Sequence, residues 1–291
     1  MVPLIVPPPL VLGAKVAVVM ENRRKIYLVI SQGIQENLHA QYKEVVLQEE
    51  NKDPSQTLRD YRADLIISIG NTATTWAHKK FRDIPVIASG VVYQLDPAFL
   101  DAFPGVAIDF PIQAYLKFIH EFVPGPGKIG LLINSEKKDL FLRQFVSLSD
   151  KLGLDIIVES LSRENEFSRK VQLLEDKGVK VFLMTFDPLV MNPDSYKYLV
   201  DFCLTQRIEL VVPSKALLKN GGLASLEANY EDIGRQTAKV ASQILNDRSS
   251  ASRLHLEFPD QQEVGINLKV ADKLGVSFSP STIMNAQYIQ R

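Results

Sequence analysis

The feature that most constrains the fold is an order of short apolar runs and amphipathic helical patterns that occurs twice. The apolar runs are continuous, which is typical of strands in a parallel sheet covered on both faces. The patterns between them place apolar residues on one side, as crossover helices require. Two such series in 291 residues predict an α/β protein with two similar doubly wound parallel-sheet lobes.

The first series has four predicted strands and the second also has four. In the first, we expect strands at 15–20, 44–47, 64–69 and 85–88, with helices at 26–38 and 72–81. A proline- and glycine-rich break at 123–127 ends a helix that starts near Pro111. In the second, we expect strands at 128–133, 154–158, 180–184 and 208–212, with helices at 137–152, around 171–174 and at 193–205.

The end of the chain departs from this repeat. We expect a small-residue strand at 221–226, a helix at 230–245, a polar turn at 247–252, a hairpin-like pair around 260–262 and a final helix at 268–274. Gly275 follows that helix in the position of a C-terminal cap.

Composition excludes several classes of protein. Lys and Arg number 33 against 34 Asp and Glu, so the basic excess of a nucleic-acid binder is missing. No apolar run reaches the roughly 18–20 residues that span a bilayer. The single cysteine, Cys203, lies in an apolar helical pattern and is predicted to be a buried thiol. The apolar segment 1–13 has no leading Lys or Arg and is interrupted by three prolines, so it is either the end of an export signal or an extended tail.

In open parallel sheets, ligands bind beyond the carboxyl ends of the strands. The side chains expected there are small or polar, as a site made of hydrogen bonds requires. We predict ligand contacts from Asn22, Asn71 and Thr72 in the first lobe, and from Ser135, Phe186, Asp187 and Ser214 in the second.

Several of these residues have two interpretations. The helix start at Asn71 and Thr72 can hold a carboxylate or phosphate on its N–H groups, or these side chains can simply cap the helix. Asp187 can accept from a ligand amine or begin a turn with Pro188. The rings of Tyr27, Tyr93 and Phe186 can face a ligand or belong to the core.

Enzyme signatures are weak. The four histidines show no metal-ligand spacing. Ser135 to Lys138 matches S-x-x-K without the companion motifs of that hydrolase class. The nucleophile-elbow, dinucleotide-binding and P-loop patterns do not occur in the sequence. We therefore expect no catalytic residue, no metal and no cofactor.

Three segments resemble the family of ABC-transporter substrate-binding proteins that includes tryptophan-binding lipoproteins. They are GLASL at 222–226 with NYEDIGRQTA at 229–238, INLKVADKLGV at 266–276, and FVPG at 122–125 before KIGLLINSE at 128–136. The similarity runs from Lys15 to the end. Where members typically carry Thr-Pro, this chain reads Asn71-Thr72-Ala73.

The resemblance implies a type I periplasmic-binding-protein fold with a three-segment hinge. It places 14–110 and 227–248 in the first lobe, and 111–226 and 249–291 in the second. It implies that the lobes close on a small solute, such as an amino acid, and that the closed form meets an ABC permease outside the cytoplasm. Its pocket positions are Tyr27, Asn71, Thr72, Ser135, Asp187, Ser214 and Ala224.

Two functions follow as expectations. In the first, a monomeric extracytoplasmic protein delivers the solute to an importer. In the second, a sensing module of the same fold reports ligand binding to a partner protein. An enzyme with this fold is a third hypothesis, which the fold alone does not exclude.

Overall fold

The computed structural model describes residues 13–50, 53–125, 127–135 and 152–291, apart from the side chains of 249 and 250. The predicted helix at 137–152 and the apolar segment at 1–13 lie almost wholly outside these residues. The chain divides into two compact units, Met1–Asp109 with Ala228–Gln261 and Phe110–Glu227 with Gln262–Arg291. It therefore passes from one unit to the other three times.

The first unit contains a six-stranded sheet in the order β11-β5-β4-β3-β1-β2. Its strands, numbered in chain order, are β1 Lys15–Met20, β2 Gln41–Val46, β3 Leu65–Ile69, β4 Val86–Val91, β5 Gly105–Ala107 and β11 Leu256–Glu257. All its neighbouring strands are parallel. Its α-helices are Lys25–Asn37, Ser55–Tyr61, Asn71–Lys80, Pro97–Leu100 and Tyr230–Asn246.

The second unit contains a seven-stranded sheet in the order β13-β12-β10-β9-β8-β6-β7. Its strands are β6 Lys128–Asn134, β7 Ile156–Leu161, β8 Val179–Leu183, β9 Glu209–Val212, β10 Ala224–Ala228, β12 Gln262–Asn267 and β13 Tyr288–Gln290. Its described α-helices are Ile112–Phe122, Phe167–Asp176, Pro193–Gln206, Lys215–Lys219, Leu268–Leu274 and Pro280–Asn285. Two mainly parallel sheets with flanking helices confirm the predicted α/β class.

Burial explains why the central strands are continuous apolar runs. In β1, the residues from Val16 to Met20 have no exposed surface, because helices cover both faces of the sheet. The edge strand β2 exposes its first four residues in part and buries only its last two. Cys203 is buried in the core of the second unit, as predicted, and burial raises the pKa of its thiol.

Two helices of the first unit meet at glycines. A Cβ atom on Gly33 would lie 2.7 Å from the carbonyl oxygen of Glu231, and one on Gly234 would lie 2.5 Å from that of Ile30. The helices Lys25–Asn37 and Tyr230–Asn246 therefore approach so closely that only hydrogen fits at these positions. This contact packs the helix Tyr230–Asn246, which follows the second passage of the chain between units, against the rest of the first unit.

The prediction of a hairpin-like pair around 260–262 is wrong. The two strands that flank this stretch belong to different sheets, since β11 pairs with β5 and β12 pairs with β13. Residues 249–261 accordingly lie in the first unit, whereas the sequence assigned them to the second. Strand pairing over about 150 residues of separation leaves no local pattern that could have revealed this.

The predicted helix at 268–274 has the observed bounds, and Gly275 caps it with φ 73°. It is not the final element, because the helix Pro280–Asn285 and strand β13 follow. None of the helices in the described part of the chain is both long and apolar enough to cross a bilayer.

Candidate functional site

The carboxyl ends of three neighbouring strands meet at one edge of the first sheet. The parallel register pairs Met20 of β1 with Ile69 of β3, and Ile69 with Ser89 of β4. The segments that follow these strands contain Asn22, Asn71 and Tyr93. The structure therefore brings the first-unit candidates to the same edge, as expected for such a sheet.

Asn71 has a fixed role at this edge. Its side-chain Nδ2 donates to the Val92 carbonyl at 3.1 Å, and its Oδ1 accepts from the Val92 N–H at 2.8 Å. The amide is thus paired with the backbone after β4, and it leaves the helix uncapped. Asn22 is likewise engaged, because its Oδ1 accepts from the Arg24 N–H at 3.1 Å.

Of the two interpretations of this helix start, capping by the side chain of Asn71 or Thr72 does not occur. The cap position is Gly70, with φ 88° and ψ 159°, and no side chain there accepts from the first turn. Thr72 is exposed in that turn. A helix start without a side-chain acceptor keeps N–H groups available to an anion.

Tyr27 stands beside this helix start. A Cβ atom on Gly70 would lie only 2.7 Å from the Tyr27 hydroxyl oxygen. The ring is half-buried, and burial raises the pKa of the Tyr27 hydroxyl. The hydroxyl therefore remains a neutral hydrogen-bond donor and acceptor at physiological pH.

Tyr93 is held by a buried carboxylate that the sequence analysis missed. Asp109 is fully buried and accepts from the backbone N–H groups of Tyr93 at 2.7 Å and Gln94 at 2.9 Å. Burial raises the pKa of Asp109 to about 7, although the backbone hydrogen bonds oppose the shift. The Tyr93 hydroxyl donates to Asp101 at 3.0 Å, and the ring meets Phe258 edge-on at 5.2 Å. The ring thus packs against its own unit.

In the second unit, Asp187 joins the ends of two neighbouring strands. One carboxylate oxygen accepts from the Asn134 N–H at 2.8 Å and the other from the Leu189 N–H at 3.0 Å. The residue is 7% exposed. Of the two interpretations, the turn with Pro188 is present. Contact with a ligand amine stays a prediction, since each oxygen keeps a further lone pair.

The other second-unit candidates differ in their surroundings. Ser135 lies with its Oγ 2.8 Å from that of Ser162, which follows β7. Ser214 caps the helix Lys215–Lys219 by accepting from the Leu217 N–H at 3.3 Å. Phe186 is half-buried, and Ala224 is fully buried at the start of β10.

A charged cluster beside Ser214 was also missed. Glu227 is 5% exposed and accepts from the Lys215 N–H at 3.0 Å. The Lys215 ammonium lies 4.0 Å from Glu227 and forms an ion pair with Glu263. These carboxylates flank the second and third passages between units. Because they are 12 and 48 residues from Lys215, no sequence spacing points to them.

Metal ligands do not cluster in the described part of the chain, where no group of three His, Cys, Asp or Glu side chains could hold an ion. The arrangement at both strand edges consists of hydroxyls, amides, carboxylates and backbone N–H groups. Such an edge can bind a small polar or zwitterionic molecule through hydrogen bonds.

The chain forms two mainly parallel α/β units and passes between them three times. This arrangement is that of the two-lobed, periplasmic-binding-protein-like folds. Residues 15–289 match the model of the ABC transporter substrate binding protein family. The chain belongs to this family.

Known proteins place the chain in the same class. It is 21% identical over 216 residues to a tyrosine-binding protein of Clostridioides difficile (strain R20291), a match that covers 71% of this chain and 61% of that protein. Two solved structures share the fold at 95% coverage of this chain and 99% of theirs. One is an ABC domain in complex with L-Trp from Streptococcus pneumonia, with 20% identity and a TM-score of 0.68. The other is a ligand-free, open substrate-binding protein with adhesive properties from Clostridium difficile, with 18% identity and a TM-score of 0.73.

Proposed function

We propose that this chain is the extracytoplasmic solute-binding protein of an ABC importer, and that its solute is an amino acid with an aromatic side chain. The observation that carries the proposal is the uncapped start of the helix Asn71–Lys80, beside the hydroxyl of Tyr27. Membership of the substrate-binding family supports it. Two similar proteins also support it, one a tyrosine-binding protein and the other an ABC domain in complex with L-Trp.

The chemistry of the two strand edges suits a zwitterion. The α-carboxylate would accept from the first-turn N–H groups at Asn71 and Thr72, where the helix dipole favours negative charge. The ammonium group would donate to Asp187, whose two oxygens already accept one N–H each. Ser135 and Tyr27 would supply hydroxyl contacts, and Phe186 would offer a ring face to the solute's side chain.

Transport requires that the solute favour one conformation of the protein. We infer that the three passages between units act as a hinge, and that a solute in contact with both strand edges stabilises the closed form. That form would dock on the permease at the outer face of the membrane.

A titration with free amino acids tests the solute. Trp76 is the only tryptophan and lies in the helix Asn71–Lys80, so its fluorescence reports events at that helix. We expect L-tyrosine or L-tryptophan to bind by isothermal titration and to raise Tm. The matching amino-acid amide, which lacks the carboxylate, should bind about tenfold more weakly.

Two results of these titrations would contradict the proposed solute or its mode of binding. If no amino acid, nucleoside or small amide raises Tm, the chain does not bind a solute of the proposed kind. Equal affinity for the acid and its amide would place the carboxylate elsewhere than at the helix start. Transport itself is tested by whether the solute-loaded protein stimulates ATP hydrolysis by a reconstituted ABC permease, and no stimulation by any permease of its source genome would count against a role in import.

A further inference from the structure

The second unit contains a groove that shares no residue with the candidate site. It has a volume of about 680 Å³, which lies within the range of small-molecule pockets. Its walls are the helices Ile112–Phe122 and Pro280–Asn285, and its floor is formed by Leu226 of β10 and Val264 of β12.

The apolar part of the groove includes a pair of stacked rings. Phe118 and Phe122 lie with their centroids 5.4 Å apart and their planes at 23°. Phe118 is buried, while Phe122 is half-buried. Met284 on the facing helix is 85% exposed, far more than the other exposed large apolar side chains of the described residues. A flexible thioether beside an aromatic ring favours an apolar or aromatic ligand part.

The polar part of the groove carries one charge of each sign. Lys117 and Glu121 lie one helical turn apart and both line the groove. Within the described ranges, neither forms an ion pair with any side chain. A ligand with separate positive and negative groups would complement both.

Amide groups complete the wall. Gln287 is fixed, since its Oε1 accepts from the Val264 N–H at 2.7 Å and its Nε2 donates to the Asn285 carbonyl at 2.7 Å. Gln113 and Gln262 line the groove as well and can donate or accept toward a ligand.

We propose that this groove is a second solute site, which takes a zwitterion with an aromatic or aliphatic side chain. The ligand's carboxylate meets Lys117, its ammonium meets Glu121, and its side chain covers Phe122 under Met284. Because both charges are solvent-exposed, each strengthens binding by only about fivefold or less. The affinity is therefore weak, with a Kd of about 1 mM. The proposal does not depend on the solute site at the strand edges.

Methyl NMR of methionine separates the two sites. The chain has 5 methionines, so a sample labelled with ¹³C-methyl methionine gives few signals. Met284 reports the groove. Met191, whose N–H donates to the Asp187 carbonyl at 2.8 Å, reports the strand edge. Their signals are assigned with Met284→Leu and Met191→Leu.

The probe is L-phenylalanine, compared with phenethylamine and 3-phenylpropionate, which each keep one of the two charges. We expect a saturable shift of the Met284 methyl with L-phenylalanine and about twofold to fivefold weaker binding of either analogue. The double variant Lys117→Gln with Glu121→Gln should weaken the binding that this shift reports by about tenfold and leave the shift of Met191 unchanged.

A matched control is available on the helix Pro193–Gln206. Lys197 and Asp201 are exposed with the same spacing and order of charge, so Lys197→Gln with Asp201→Asn removes the same charges outside the groove. This variant should bind as the wild type does.

Three results would overturn the proposal. They are a Met284 methyl that does not move up to the solubility limit of L-phenylalanine, a Kd that is unchanged by loss of Lys117 and Glu121, and binding of either analogue as tight as that of L-phenylalanine. A moving Met284 with a silent Met191 would support the groove and count against the strand-edge solute site. The reverse pattern would reject the groove alone.

Discussion

Replacing Gly70 with alanine should damage both the stability of the first unit and solute binding. The backbone of Gly70 has φ 88° and ψ 159°, a region that residues with a side chain essentially avoid, and entering it costs about 1–3 kcal/mol. The new methyl group would also lie 2.7 Å from the Tyr27 hydroxyl oxygen and 3.0 Å from the ring carbon that bears it. Either the backbone or the Tyr27 ring must therefore move.

Both movements disturb the proposed carboxylate site. We expect Gly70→Ala to lower the free energy of unfolding of the first unit by about 2–3 kcal/mol. We expect it to weaken solute binding by about tenfold or more, which corresponds to about 1.4 kcal/mol. Urea unfolding followed by Trp76 fluorescence measures the first quantity, and isothermal titration measures the second.

Gly275 provides the matched control. It also has a positive φ, of 73°, but no atom lies within 4 Å of an added Cβ. Gly275→Ala should therefore lose about 1 kcal/mol from backbone strain alone and bind the solute normally. In the double variant Gly70→Ala with Tyr27→Phe, the hydroxyl oxygen that overlaps the new methyl group is removed. The loss of stability in the double variant should therefore be smaller than the sum of the losses in the two single variants.

A Gly70→Ala protein with wild-type stability and affinity would refute this reasoning. It would mean that the helix start can be rebuilt around a side chain, and that the contact with Tyr27 does not matter. Loss of binding in Gly275→Ala as well would show that the effect is not specific to the strand edge.

Three further predictions concern buried groups. Gly234→Ala should lower the free energy of unfolding in urea by about 1–3 kcal/mol, because the new Cβ would lie 2.5 Å from the Ile30 carbonyl oxygen. Helix propensity alone predicts an increase of about 1 kcal/mol, so the sign of the measured change shows whether packing or propensity dominates. Asp109 has a pKa of about 7 in the folded protein, against an ordinary value of 3.8, so its protonated form favours folding. The contribution of Asp109 to the free energy of unfolding should be largest below about pH 4, should fall toward pH 7, and should level off above. Comparison with Asp109→Asn isolates this, and a pH-independent difference between the two proteins would count against it. Glu209 is 6% exposed, its Oε2 has no partner among the described residues, and burial raises its pKa to about 7. Glu209→Gln should therefore raise Tm at pH 8 more than at pH 5, and an equal change at both values would show that the carboxylate is solvated.

The sequence by itself determined the class of fold and the order of the longer helices and central strands. The helices Pro193–Gln206, Tyr230–Asn246 and Leu268–Leu274 lie within a residue of their predicted bounds. Each has a local signal, such as the Asn229 cap that accepts from the Asp232 N–H at 2.9 Å or the left-handed Gly275. The α/β class follows from the same periodicity, because a buried parallel strand and its crossover helix are each recognisable within a few residues.

Only the tertiary structure decided the partners of the candidate side chains. Asn71 pairs with Val92, which is 21 residues away, and Asp187 with Asn134 at 53 residues. The sequence placed Asn71 and Asp187 at strand ends, but it left open whether Asn71 caps the following helix, and the structure puts Gly70 in the cap position. The sequence also placed 249–261 in the wrong unit, since the pairing of β11 with β5 joins distant segments. Hydrogen bonds between distant segments depend on how strands are ordered in a sheet, and that order leaves no trace in the local pattern of a single chain.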